Sequence, residues 1–80
     1  MMMDNLPLVL FGLRLRELRK QKNISQEKLA LLSEIARSYL GEVERGKRNI
    51  ALINIYKLAH ALDVEPSELL KKPNSPKLSE

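Results

Sequence analysis

Eighty residues carrying 14 Lys or Arg against 10 Asp or Glu, a net charge of +4, suffice for one small basic domain and leave no room for a second. With no cysteine and one histidine, neither a disulfide framework nor a Cys/His metal centre can be built, and the composition fits a reducing cytoplasm. No nucleophile–base pair, paired-carboxylate motif or phosphate-cradling glycine loop stands out, so the chain reads as no enzyme, and no cofactor is expected.

The apolar run from Leu6 to Leu13 follows Asp4 rather than a basic stretch and meets Arg14 with no small-residue cleavage site before it. At about eight residues it is too short to span a bilayer, so it reads as the start of a buried first helix and no membrane partner is expected. Leu8, Phe11, Leu15 and Leu18 recur at helical spacing, Pro7 is tolerated in a first turn, and Asn23 suits a left-handed stop. The first helix is therefore predicted over residues 7–22, after a short arm of residues 1–6.

Ser25 can cap the second helix, predicted over residues 26–33, and Glu27 complements the positive end of its dipole. The third runs from Arg37 to Arg45 and stops at Gly46, which takes positive φ at no steric cost. Leu52, Ile55, Leu58, Ala59 and Leu62 share one face of the fourth. Glu65 and Pro66 open a short fifth helix. From Lys72 to Glu80 little can be buried, so the domain is expected to end near Lys71 and a disordered tail to follow.

Within this all-α, five-helix reading, the segment QEKLALLSEIARSYLGEVER from Gln26 to Arg45 places Leu29, Ala30, Ile35, Leu40 and Val43 at apolar positions and breaks helical periodicity once, at Ser33-Glu34. Two short helices crossing at roughly 90–120° need a small residue such as Ala30 at the contact, and this is the layout of a helix-turn-helix. The charge agrees with that placement. Residues 1–48 hold ten Lys or Arg against six acids, and residues 49–80 hold four of each, so the whole excess lies in the half with the motif.

If the third helix enters a DNA major groove, its first turn points at base edges. Arg37 can donate two hydrogen bonds to guanine O6 and N7 or grip a phosphate. Ser38 can bond either. Tyr39 can press on a thymine methyl, donate to a phosphate or pack on a neighbouring helix. Glu42 can accept from cytosine N4 or pair within the protein with a residue such as Arg45. Arg45, Lys47, Arg48 and Asn49, where the chain leaves this helix, either close on flanking phosphates or form a solvated loop. Ile53, Tyr56 and His60 project within about 60° of one another beside the core stripe of the fourth helix. That edge is covered either by a second copy, giving a homodimer, or by the fifth helix.

The runs RLRELRKQKNISQEKLA, SYLGEVERGKRNI and IYKLAHALDVEPSELL resemble the lambda-repressor-like, Xre-type helix-turn-helix family, and within it the controller proteins of restriction–modification systems. The resemblance implies a compact DNA-binding domain that binds palindromic double-stranded operators as a dimer, activates endonuclease expression and regulates its own gene. It implies that Gln26 clamps a phosphate and that Arg19 and Glu44 form a structural ion pair. RNA polymerase is a further candidate partner, with Glu27 the acidic group best placed for it. A phage-type repressor and an antitoxin are the alternatives within the family. A helical protein-interaction module without DNA binding is the alternative outside it. Three residues depart from the family pattern: Glu34 where the turn has glycine, and Ala36 and Ala51 where helices three and four have polar caps. Asn49 is an alternative cap for helix four.

Overall fold

The computed structural model describes residues 5–74, which form five helices joined by short turns. These are α1 (Leu6–Gln21), α2 (Gln26–Ser33), α3 (Arg37–Glu44), α4 (Leu52–Leu62) and α5 (Pro66–Leu69). Residues 1–4 of the expected arm and 75–80 of the expected tail lie outside the described residues. Leu6, expected in the arm, is the first residue of α1.

Each boundary has a local chemical cause. Asn23 adopts φ 62° after α1, as the Asn side chain tolerates. The Ser25 hydroxyl then accepts from the Lys28 amide at 3.0 Å and caps α2. Glu34 holds the left-handed turn at φ 59°, the strained position expected for a side chain where a glycine would relax. Ala36 and Ala51 head α3 and α4 without any side-chain cap. Asn49 does not replace it: Ala51 is the N-cap of α4, and the chain enters the helix extended there. Glu65 likewise heads α5 without a side-chain hydrogen bond.

Leu15, Leu18, Leu29, Ala30, Ile35, Leu40, Val43, Ile55, Leu58, Ala59, Leu62 and Leu69 pack into one core. The apolar positions read from the helix-turn-helix segment are all in it. Leu52 is a correction. Expected on the inward stripe of α4, it is 67% exposed: it is the first residue of the helix, and its neighbours Ala51 and Ile53 are exposed with it.

Backbone proximity seats α3. A Cβ on Gly12 would stand 2.6 Å from the carbonyl oxygens of Val43 and Glu44, so only glycine lets α1 lie against the end of α3. Gly46 turns the chain away at φ +74°, its Cα facing Val9 closely enough that a Cβ would meet the Val9 Cα at 2.9 Å. The middle of α1 is fixed to α5 by Arg14. It is buried, and donates from Nε to the Glu68 carbonyl at 2.8 Å and from Nη2 to the Glu68 carboxylate at 3.0 Å. Its Nη1 reaches Glu17 at 2.8 Å. Glu17 also accepts from the amide of Asn74 at 2.8 Å, so the segment expected to fray from Lys72 is held to α1 up to that point.

Candidate nucleic-acid interface

Helix α3 is braced from behind by a buried ion pair. Arg19 on α1 donates from Nε and Nη2 to the two carboxylate oxygens of Glu44, at 2.7 and 3.0 Å, and its Nη1 reaches the Ile24 carbonyl at 3.1 Å. The Glu44 side chain is 3% exposed, so the charges meet in a low-dielectric site and removing either would strand the other. This pair, assigned to structure by the resemblance, ties the first helix, the turn before α2 and the end of α3 together.

Gln26 joins the same cluster. Its amide donates to Glu44 Oε1 at 2.9 Å, across the contact between α2 and α3. The sequence reading directs this amide at phosphate, whereas here one of its N–H bonds is used inside the protein and the other remains.

The opposite face of α3 is open. Arg37 and Ser38 in its first turn are exposed, and no carboxylate among the described residues stands at ion-pair distance from Arg37, Arg45 or Lys47. Tyr39 is half-buried against the core, and its hydroxyl accepts from the Asn54 amide at 3.3 Å. It therefore packs on α4, one of the alternatives left by the sequence. Asn54 was not singled out, because no local pattern links it to a residue fifteen positions away.

Glu42 pairs within the protein, but with Arg48 rather than Arg45. Arg48 Nε donates to Glu42 Oε1 at 2.7 Å, while the Arg48 guanidinium carbon stands 5.3 Å from the centre of the Tyr39 ring. The Arg48 hydrogen bond, and then its charge, hold the Glu42 carboxyl below the usual carboxylate range. Arg45, Lys47, Arg48 and Asn49 are all exposed, so the basic loop borders the open face of α3.

Arg14 and Arg19, both counted toward phosphate attraction, are engaged elsewhere: Arg14 with Glu17 and Glu68, and Arg19 with Glu44. The spacing Phe11–Arg14–Leu18 already placed Arg14 on the inward stripe, which was the available signal. On α4, Ile53 is 65% and Tyr56 55% exposed, and His60 is exposed beside them. This corrects the alternative in which the fifth helix covers that edge; α5 packs on α4 elsewhere.

Among the described residues no group of acidic, His or Cys side chains could hold a metal, and no helix is long and apolar enough to cross a membrane. A family model described as helix-turn-helix matches residues 15–69. The control protein C.BamHI of Bacillus amyloliquefaciens is 48% identical over 63 residues, covering 78% of each chain. The control protein C.MunI of a Mycoplasma species is 42% identical over 60 residues, 74% of this chain and 81% of its own. The crystal structure of the restriction–modification controller protein C.AhdI from Aeromonas hydrophila superposes with a TM-score of 0.76 at 66% identity, covering 78% of this chain and 94% of that one.

Proposed function

Since the chain belongs to the helix-turn-helix family of DNA-binding transcriptional regulators, we propose that it is a restriction–modification controller that binds a palindromic operator as a homodimer. It acts in the cytoplasm, where it switches on the endonuclease and limits its own expression. The observation that carries the DNA-reading part is the exposed first turn of α3, with Arg37 and Ser38 unobstructed and the basic loop of Arg45, Lys47, Arg48 and Asn49 beside it. The controller part draws its support from relatives whose own names are those of control proteins.

In this reading Arg37 donates a two-pronged hydrogen bond to a guanine edge, and Ser38 bonds a neighbouring base or phosphate. Tyr39, half-buried between α4 and Arg48, presents only the part of its ring left beside that guanidinium to a thymine methyl. Gln26 uses its remaining amide N–H, together with the α2 N-terminus, on a backbone phosphate. Arg45, Lys47 and Asn49 close on the flanking phosphates. Leu52, Ile53, Tyr56 and His60 form the dimer face. Glu27, exposed at the start of α2, meets RNA polymerase.

Selection of bound duplexes from a random DNA pool at moderate salt tests this. An enriched palindrome, singly or as a tandem pair, is expected, and tandem sites favour a controller over a simple repressor. A folded protein that enriches no motif overturns the proposal.

A further inference from the structure

The pair formed by Glu42 and Arg48 stands on the surface that faces DNA, yet it has the geometry of a holder rather than of a stabilising bridge. Both side chains are largely open to solvent, 40% and 52% exposed, and such pairs add little to folding. The backbone fixes their register. The Lys47 amide donates to the Glu42 carbonyl at 2.9 Å, so the chain that leaves α3 folds back on the residue whose side chain Arg48 meets. Arg48 spends its Nε on Glu42 and rests over Tyr39, and no described residue accepts a hydrogen bond from its two Nη nitrogens.

We propose that Glu42 is a specificity determinant acting through Arg48 and not through a base: it cancels the Arg48 charge at long range while holding the guanidinium with its Nη edge outward. The inference rests on the DNA reading proposed above. Attraction to any duplex grows with the cations that the protein brings to the phosphates. A paired Arg48 contributes almost nothing to that non-specific pull. At contact range the same side chain is still competent, because the two Nη groups can donate in parallel to a guanine edge or a phosphate while Nε stays on the carboxylate. The stack on Tyr39 and the hydrogen bond order the fork before DNA arrives, so a cognate complex loses less freedom on forming. The pair thus weakens binding to random DNA more than binding to the operator. Glu42 is a positioning residue, and Arg48 is the group that touches DNA.

The test measures binding to the selected site and to a random duplex of equal length, across a salt series, for the wild type, Glu42→Gln, Arg48→Ala and the double variant. Glu42→Gln keeps an acceptor for Arg48 and removes only charge. It should melt like the wild type, bind random DNA about 5–10-fold more tightly with a salt slope steeper by about one phosphate, and lose several-fold in preference for the selected site. In the Arg48→Ala background the same change should leave that preference unchanged. Unchanged random affinity and slope would overturn the inference. So would a Glu42→Gln protein that selects a different base at one position with random binding unaltered, since Glu42 would then touch that base. A wild type that prefers no site overturns the DNA reading and this inference together.

Discussion

Arg37 and Gln26 each stand first in a helix, α3 and α2, and in the proposed reading their chemistry gives them different work at the DNA. The Arg37 guanidinium is an unpaired planar fork on an exposed turn, able to match the two acceptors that only guanine offers in the major groove. Arg37→Ala is therefore expected to weaken operator binding by about 1–3 kcal/mol and to relax preference at one base pair, as read by competition between operator variants. Equal losses on operator and random DNA would reduce Arg37 to a phosphate contact. Gln26 is tethered by Glu44, which leaves its amide one N–H and a fixed direction. Phosphates are alike in every sequence, so Gln26→Ala should weaken operator and random duplexes by similar factors. A change in base preference would count against that clamp role.

The elements were legible where their causes are local. Ser25, Gly46 and Pro66 mark ends that any chain would read, and the apolar spacing fixed which face of each helix turns inward. Long-range contacts were less legible. Nothing near Gly12 in sequence announces that the carbonyls of Val43 and Glu44 lie against it, and nothing near Glu42 decides between Arg45 and Arg48. The burial of Arg14 depends on Glu68, 54 residues on, and Leu52 carries the spacing of the α4 stripe yet is exposed at its first position. Two substitutions weigh these local and long-range causes. Glu34→Gly relieves a left-handed turn and should stabilise by about 1 kcal/mol, raising Tm by about 4–8 °C. Gly12→Ala forces α1 away from the end of α3, with a loss of about 1–3 kcal/mol. Thermal unfolding checks both. A Gly12→Ala protein as stable as the wild type would show that the helices can slide apart without loss, and an unmoved Tm in Glu34→Gly would remove strain from the account of the turn.

At the scale of the whole molecule, exposed basic residues gather at α3 and the loop that follows it, large exposed apolar side chains gather on α4, and each group calls for its own partner. Leu52, Ile53 and Tyr56 are each more than half exposed on one helix, a concentration of large apolar side chains that small monomers rarely leave open. If a second copy covers them about a twofold axis, two recognition helices can lie about 34 Å apart and meet successive major grooves on one side of a palindrome. Ile53 has no role in the core, so Ile53→Asp should fold and yet sediment as a monomer. Because the second half-site is then no longer bound intramolecularly, affinity for the palindrome should fall by about 10²–10⁴-fold, while affinity for an isolated half-site should be unchanged. The Tm of the wild type should rise with protein concentration and that of the variant should not, since only a self-associating native state is stabilised by mass action. A dimer mass that survives the substitution would place the twofold elsewhere. A monomer that kept full affinity for the palindrome would mean that DNA alone brings two copies together.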